Sequence, residues 1–421
     1  MHAGPPTKPL LLQRSFAALW WGQLVSILGD RLTYLALGGL LLEHTHRGAD
    51  PRYPLLLALL GNVMVAPVLL FAPFTGAWVD RMNLKRALIV SDLFRALIVL
   101  GIPWIYTLTG HTGSVFALVF LLFTCNVFFL PAKSALTPEI VPPDQLLAAN
   151  SLLTFAGIAA TAIGALIGGW VVDHCGWKFA MRVDAITYAV SVGTLAVVSY
   201  RRVKAPAHQL ELSVGRYLRE VGEGWRVVTR SGRVGLALLT LGAVWIGGGF
   251  LHVAGNPHIQ RAASIPGMER VGVLLASLGL GGGLSTWWVS TRGRGMPRAK
   301  LLGIGFLCAA ASLVAFAVSR RFAVFAISSF LVGVFISPAF VLSETLLQEG
   351  AEPGQRARVF SARDFLMRLA FLGGTTVAAW LAERFGTTAT LLACSGVIAV
   401  VGVIALVWRP EAEARRAEPA T

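Results

Sequence analysis

Charged residues are scarce in this chain of 421 residues, and their scarcity decides its class. Only 14% of the residues are Asp, Glu, Lys or Arg, whereas 55% are hydrophobic, and the mean hydropathy is +0.69. An ordinary soluble domain carries about 25% charged residues. The composition therefore excludes a soluble fold and predicts a membrane protein with many spans.

Cysteines and the motifs of enzyme chemistry are also rare or missing. The four cysteines, at positions 125, 175, 308 and 394, show no CxxC spacing, which argues against a disulfide framework or a zinc site. The sequence contains no Walker loop, no Gly-x-Ser-x-Gly elbow and no HExxH motif. ATP-driven transport and hydrolysis therefore have no residues to support them, and we predict a protein that is not an enzyme and holds no metal or cofactor.

Basic residues are the exception to this scarcity. The chain has 36 Lys and Arg against 21 Asp and Glu, for a net charge of +15. Most of them fall in predicted loops on one side of the membrane, which marks that side as cytoplasmic. Charges placed there meet anionic lipid headgroups, and no basic nucleic-acid-binding module is present. We expect membrane lipids as partners, and no nucleic acid.

Apolar runs bounded by charges, Gly or Pro predict twelve membrane-spanning helices. No alternating strand pattern appears, and helices satisfy their own backbone groups in lipid. An even number of spans places both termini on the cytoplasmic side. The predicted spans are residues 16–42, 54–79, 87–108, 114–130, 146–172, 177–199, 234–256, 270–290, 301–319, 322–347, 360–382 and 388–408.

The longest polar stretch divides these spans into six plus six. We predict an N-terminal six-helix bundle over residues 1–199, a cytoplasmic linker with an amphipathic helix over 200–233, and a C-terminal six-helix bundle over 234–421. The segments PEIVPPDQLLAANS and QEGAEPGQRARVFS echo each other at a constant offset of 210 residues. Two parallel six-helix halves around a midplane site are one plan of secondary transporters.

A charged residue lies in the middle of the first span. Asp30 belongs to a stripe of polar side chains spaced by three or four residues, namely Gln23, Ser26, Asp30, Thr33 and Tyr34. An ionisable group at mid-membrane costs at least ~2.5 kcal/mol, so this face must look into protein or water. The neighbouring Arg31 points ~100° away and cannot pair well with Asp30. We predict that Asp30, Gln23, Ser26 and Tyr34 line a solute path, with Asp30 as a proton or substrate group.

The seventh and tenth spans add further polar candidates. His252 and Asn256 share one face of the seventh span, beside Gly and Pro residues that can break the helix. They are candidates for substrate or proton binding, although a lone His is often a hydrogen-bonded core residue. Glu344 in the tenth span is either a gate or a solvated charge. The i,i+3 pair Asp92/Arg95 is expected to neutralise itself within one helix.

The loop after the second span, GAWVDRMNLKRAL, resembles the signature of the major facilitator superfamily. Asn83 stands where that family usually has Gly. The resemblance implies an all-α membrane protein with twelve transmembrane helices in two pseudo-symmetric six-helix bundles. It also implies that Asp80 docks at the start of the eleventh helix, near Arg363, and closes the cytoplasmic side. The matching residues are Gly76, Asp80, Arg81, Lys85 and Arg86.

Longer stretches resemble particular branches of this superfamily. LWWGQLVSILGDRLTYLAL and PAKSALTPEIVPPDQLLAAN are similar to the drug exporters that include macrolide-efflux proteins and the enterobactin exporter. Bacterial lysophospholipid transporters share the pattern around Asp30 and the segment around Lys133. The first branch implies export of an amphipathic small molecule, and the second implies movement of a lysolipid whose headgroup lies near Lys133.

Both branches imply a monomer in the bacterial inner membrane that works by alternating access. H+ is the expected coupling ion, and Na+ stays open as an alternative because a carboxylate serves either ion. A non-transporting membrane sensor or scaffold would need no polar path, so the polar stripes disfavour it. Small residues of the fifth span, including Gly164 and Gly168, predict close helix packing rather than ligand binding.

Overall fold

The computed structural model is helical, with no β-strand in the part of the chain that it describes. It describes residues 9–46, 50–200, 215, 219, 232–262, 266–292, 297–350 and 356–408. Within these ranges only the backbone is described at residues 72–73, 76–81, 232–233, 290, 344, 348–350, 356–359 and 361. The predicted amphipathic helix of the linker therefore lies outside the described residues, apart from two positions.

Six long helices occupy the first half of the chain. They are α1 (Arg14–His44), α2 (Tyr53–Arg81), α3 (Leu84–Thr109), α4 (Thr112–Ile140), α5 (Leu146–Cys175) and α6 (Trp177–Val197). The second half contains α7 (Gly232–Phe250), a π-helical turn (Leu251–Gly255), α8 (Asn256–Ala262), α9 (Glu269–Arg292), α10 (Arg298–Val318), α11 (Phe322–Gly350) and α12 (Arg356–Val407).

Eleven helical segments of the described chain are long and apolar enough to cross a membrane, whereas the sequence predicts twelve spans. The difference lies in α12, whose apolar part, Ala362–Val407, has 46 residues. At a rise of ~1.5 Å per residue this part is about twice as long as the ~30 Å hydrocarbon core. Gly386 breaks it with φ +80°, a conformation that glycine adopts at little cost. Because α12 contains two predicted spans, the twelve-helix fold is confirmed.

Large apolar side chains lie on the outer faces of these helices. Trp104, Leu147, Phe155 and Trp287 are among those exposed. In water such faces would drive aggregation, but in hydrocarbon they are stable. Such faces have the composition expected of surfaces in contact with hydrocarbon.

The chain forms two compact units. The first contains residues 1–40, 63–212 and 267–272, and the second contains 41–62, 213–266 and 273–421. In the first unit α3 packs against α4 and α6, and in the second α12 packs against α7 and α10. The predicted boundaries of the two bundles and the linker stay a prediction.

Glycines bring α5 close to α1 inside the first unit. A methyl group at Gly164 would lie 3.0 Å from the carbonyl oxygen of Leu28, and one at Gly168 would lie 3.2 Å from the Cα of Leu32. Such distances leave no room for a larger residue. Gly164 and Gly168 therefore lie at a tight helix contact, which is the role that their spacing suggests.

Candidate functional site

Buried charge is confined to one unit among the described residues. Asp92, Arg95 and Asp184 are the buried residues of the Asp, Glu, Lys and Arg types, and all three belong to the first unit. The described residues of the second unit bury hydroxyl, amide and imidazole groups instead. Because a buried charge is costly unless it is paired, the three residues mark the candidate functional site.

Arg95 on α3 is the centre of this cluster. It forms an ion pair with Asp92 one turn earlier, as the i,i+3 spacing predicts. Ser191 of α6 donates a hydrogen bond of 2.6 Å to the other carboxylate oxygen of Asp92. The guanidinium also lies over the rings of Phe129, at 4.2 Å, and Tyr188, at 4.7 Å. Its positive charge is therefore balanced by one carboxylate and by two aromatic faces.

Asp30 on α1 joins the cluster from its open side. The hydroxyl of Tyr188 donates a hydrogen bond of 2.5 Å to Oδ1 of Asp30, and a guanidinium nitrogen of Arg95 lies 4.0 Å from the same oxygen. The Asp30 side chain is 36% exposed, whereas the Arg95 side chain is 3% exposed. Asp30 thus has a cationic neighbour and a hydroxyl donor, but its carboxylate is not sealed from the surroundings.

Asp184 on α6 is a second acidic group of the cluster, and sequence reasoning missed it. It is fully buried. Thr33 of α1 donates a hydrogen bond of 2.5 Å to its Oδ2, and the Thr187 hydroxyl lies 2.9 Å from its Oδ1. No ion pair joins Asp184 to a described Lys, Arg or His. A methyl group at Gly29 would lie 2.1 Å from the same Oδ1, so a glycine is needed where α1 passes Asp184.

Two side-chain hydrogen bonds therefore join α1 and α6, with donor and acceptor helices reversed. Asp30 of α1 bonds Tyr188 of α6, and one turn away Thr33 of α1 bonds Asp184 of α6. Each helix supplies one carboxylate and one hydroxyl. Lys133 of α4, which is half-buried, interacts electrostatically with both Arg95 and Asp30. The cluster thus contains the carboxyl groups of three residues and the cationic groups of two.

The other residues of the predicted α1 stripe lie in the same unit. Gln23 and Ser26 are buried, and Tyr34 is half-buried. The side-chain oxygen of Gln23 has no hydrogen-bond partner in the described part of the chain. Arg31 lies on another face, where its Cβ is 3.0 Å from the position that a methyl group at Gly164 would take. Arg31 therefore faces α5, whereas Asp30 and Thr33 of the stripe face α6.

The two residues predicted on the seventh span, His252 and Asn256, lie in the second unit and form separate hydrogen bonds there. His252 is in the π-helical turn, where a broken helix was expected, and such turns are frequent at functional sites. Its Nε2 lies 2.9 Å from the carbonyl oxygen of Leu57. Since a carbonyl can only accept, Nε2 carries the hydrogen and donates it. Asn256 accepts a hydrogen bond of 2.8 Å from Gln260 instead.

Comparison with known proteins decides the family. A family model described as "Major Facilitator Superfamily" matches residues 19–361 and 271–421. The chain belongs to the Major Facilitator Superfamily. It is a multi-pass membrane transporter and not an enzyme.

Two relatives of this superfamily member have names that refer to export. The proposed bacilysin exporter BacE of Bacillus subtilis is 24% identical over 354 residues, covering 82% of this chain and 83% of its own. Macrolide efflux protein A of Streptococcus pyogenes is 23% identical over 402 residues, covering 92% of this chain and 94% of its own. The resemblance to macrolide-efflux proteins is thus confirmed.

A solved structure of the superfamily has the same fold. The crystal structure of a POT family transporter in complex with 5-aminolevulinic acid superposes with a TM-score of 0.73. The alignment covers 95% of this chain and 96% of that one, at 13% identity. At this identity the likeness supports the fold alone.

The superfamily's signature loop is described only in part. The side chains of Asp80 and Arg81 lie outside the described residues, as does that of Glu344, and only the backbone of Gly76 is described. The gate predicted for these residues stays a prediction. Asn83, the departure from the family pattern, is the N-cap of α3 and accepts a hydrogen bond from the backbone N–H of Arg86.

Two other predicted gating residues make local contacts within their units. Lys85 donates hydrogen bonds of 2.7 Å to the carbonyl oxygens of Ala196 and Val198, so its ammonium group stabilises the C-terminal end of α6. Arg363 lies over the ring of Phe360 and forms an ion pair of 2.8 Å with the adjacent Asp364. The sequence did not predict this last pair.

Asp173, near the end of α5, makes a structural contact that sequence reasoning missed. Its two carboxylate oxygens accept hydrogen bonds from the backbone N–H groups of Met268, at 2.7 Å, and Glu269, at 2.8 Å. Asp173 therefore caps the first turn of α9 within the first unit.

Proposed function

We propose that this protein is an H+-coupled exporter that expels amphipathic small molecules carrying a positive charge, by alternating access. We place it in the bacterial inner membrane as a monomer with both termini in the cytoplasm. It needs no cofactor besides the coupling ion.

The exposure of Asp30 carries this proposal. Its side chain is 36% exposed, while Asp92 and Asp184 are fully buried. A carboxylate at mid-span that is open on one side offers an attractive partner to a solute cation. The buried Tyr188 beside it donates a hydrogen bond that holds the Asp30 carboxylate in place.

The direction of transport is supported by the relatives. The names of BacE and macrolide efflux protein A refer to an exporter and to efflux. Macrolides are bulky, mostly apolar molecules with an amine, and a partly exposed carboxylate such as that of Asp30 can bind the amine. We therefore assign Asp30 to the substrate cation or proton, with Gln23, Ser26 and Tyr34 shaping the same site.

Residues of the second unit and the signature loop complete the proposal. His252 and Asn256 border the π-helical turn of the seventh span and are proposed to contact substrate or to let this span bend. Asp80 and Arg81, with Gly76 of the same loop, are proposed to close the cytoplasmic side near Arg363. Glu344 is proposed to belong to the same gate.

A transport assay with purified protein in proteoliposomes tests this function. A pH gradient across the vesicle membrane is expected to drive ethidium, a permanent amphipathic cation, or a macrolide against its concentration gradient. A protonophore is expected to abolish this movement. Failure of both compounds to move contradicts the substrate class, and movement that follows a Na+ gradient instead contradicts the coupling ion.

The same vesicles test the lysophospholipid alternative. Fluorescent lysophosphatidylglycerol, whose headgroup has a negative charge and no positive one, is expected to stay in the leaflet where it is placed, because the exposed group of the site is a carboxylate rather than a cation. Protein-dependent crossing of this lipid, with ethidium left behind, would favour the alternative. In that case Lys133 becomes the first residue to substitute.

A further inference from the structure

We propose that Asp184 is the residue that carries the coupling proton, and that this proton and one monovalent substrate cation at Asp30 exclude each other. The inference rests on the proposed function, since it assigns the proton and the substrate to two different carboxyl groups. Asp184 carries no role from the sequence, and its position in the structure supplies all of the arguments.

The three acidic residues of the cluster differ in the cationic groups that lie beside them. Asp92 is paired with Arg95, and Asp30 lies 4.0 Å from the same guanidinium. Asp184 has only hydroxyl groups at its carboxylate oxygens, and it is fully buried. An isolated carboxylate out of water is costly, and such a group takes up a proton instead.

A protonated Asp184 is favoured by the hydrogen bonds of Thr187. The Thr187 hydroxyl has one hydrogen and lies 2.7 Å from the carbonyl oxygen of Asp184 and 2.9 Å from Oδ1 of Asp184. If the hydroxyl donates to the carbonyl, the contact with Oδ1 becomes a hydrogen bond only when Oδ1 is protonated. Thr33 can still donate to Oδ2. A protonated Asp184 thus satisfies every polar atom in this group.

The net charge of the cluster links the proton to the substrate cation. Asp30, Asp92 and Asp184 together carry three negative charges when ionised, and Arg95 and Lys133 supply two positive charges. The remaining negative charge is neutralised either by one proton or by one monovalent cation. Both together would leave a net positive charge in a largely buried site, which is unfavourable.

The groups that face Asp184 from its neighbours agree with this assignment. Two charged groups interact electrostatically with Asp184, namely Asp30 on α1 and Arg95 on α3. Asp92, also on α3, interacts with both of them. Tyr188 lies one turn along α6 from Asp184. The stretch of α5 from 146 to 172 has no titratable side chain. Asp30 is thus the acidic neighbour whose negative charge is compensated when a solute cation binds.

These contacts define a balanced exchange. With the site open to the cytoplasm, a substrate cation binds Asp30, and the carboxyl O–H of Asp184 releases its proton to cytoplasmic water. With the site open to the outside, the substrate leaves Asp30 and Asp184 takes a proton from outside water. One proton moves inward for each cation that moves outward, and no bond other than the O–H bond is broken.

The test is the number of protons released when ethidium binds to purified protein in weakly buffered detergent solution. Ethidium is a permanent cation, so any proton comes from the protein. Wild type is expected to release about one proton per ethidium bound. Asp184→Asn keeps the shape and hydrogen bonds of a protonated carboxyl group, and it is expected to bind ethidium while releasing none. Glu383→Gln, an exposed residue of α12, is the matched control and should behave as wild type.

The outcomes separate this inference from the proposed function. If wild type neither binds nor transports ethidium or a macrolide, the proposed function fails. If Asp184→Asn binds ethidium and still releases a proton, the proton is carried elsewhere and this inference is overturned.

A second measurement covers the case in which Asp184→Asn does not fold. Infrared difference spectra of wild type should lose a protonated-carboxyl band on ethidium binding. Thr33→Val should shift the frequency of that band, because Thr33 bonds Asp184. A band that is absent, or that is unchanged by Thr33→Val, contradicts the assignment.

Discussion

The two units of this transporter differ in what they bury. The first unit buries Asp92, Arg95 and Asp184 around the exposed carboxylate of Asp30. In the described part of the second unit, the buried polar groups are hydroxyl, amide and imidazole groups, and the helical backbone is irregular at the π-helical turn Leu251–Gly255 and at Gly386. The first unit therefore holds the buried charges of the described residues, and the second holds these two irregular points of the helical backbone. We expect a substitution that unpairs a buried charge to act mainly in the first unit.

The sharpest way to break this comparison is to remove the central cation of the first unit. Arg95→Met leaves Asp92 buried and unpaired, so we expect the free energy of unfolding to fall by about 3 to 5 kcal/mol. Arg363→Ala is the matched change in the second unit. Its ion-pair partner Asp364 is exposed, and we expect a loss of no more than about 1 kcal/mol. Denaturant titration in detergent micelles measures both, and equal losses would contradict the division.

Backbone packing in the second unit gives the next largest expected effect. A methyl group at Gly249 of α7 would lie 2.8 Å from backbone atoms of Phe371 and Thr375 in α12. We expect Gly249→Ala to destabilise the protein by about 1 to 3 kcal/mol through overpacking.

Gly242 of the same helix serves as the control for that change. Nothing lies within 4 Å of a methyl group there. Gly242→Ala should be neutral or stabilising by up to about 1 kcal/mol. Thermal unfolding of the two variants side by side gives the answer, and a destabilisation by Gly242→Ala as large as that by Gly249→Ala would argue against specific packing.

The helix cap at Asp173, in the first unit, gives a smaller expected effect on stability. Asp173 accepts two backbone N–H groups at the start of α9, so Asp173→Ala should cost about 1 kcal/mol. Asp144→Ala, an exposed carboxylate before α5, should cost less than about 0.5 kcal/mol. Hydrogen exchange at Met268 and Glu269 should accelerate in Asp173→Ala alone. Unchanged protection there would show that the cap is not needed.

Much of the fold could be predicted from the sequence because hydropathy and helical period act locally. The polar stripe with Asp30 follows from side chains three and four residues apart, and the Asp92–Arg95 pair follows from the same geometry. Glycines and the proline near His252 predicted a break in the seventh span, and the structure has a π-helical turn there. The eleventh and twelfth predicted spans lie on either side of Gly386, whose non-helical backbone separates two helices within α12.

The rest of the site could not be predicted because it depends on how distant helices are rotated about their axes. Thr33 and Asp184 are 151 residues apart in the sequence, and Asp173 and Met268 are 95 residues apart. An acidic residue inside the apolar sixth span was the available signal for Asp184. Its partner helix cannot be read from one sequence, since any of its neighbours has a face with a compatible spacing.

The most direct measurement of the central claim is pH-driven ethidium transport by Asp30→Asn in proteoliposomes. Loss of a charge-assisted contact of about 1.5 to 3 kcal/mol corresponds to a rate lower by about tenfold or more. Glu383→Gln should stay within about twofold of wild type, as surface substitutions do. If Asp30→Asn, folded and inserted like wild type, transports ethidium at the wild-type rate, then Asp30 binds neither the substrate cation nor the proton.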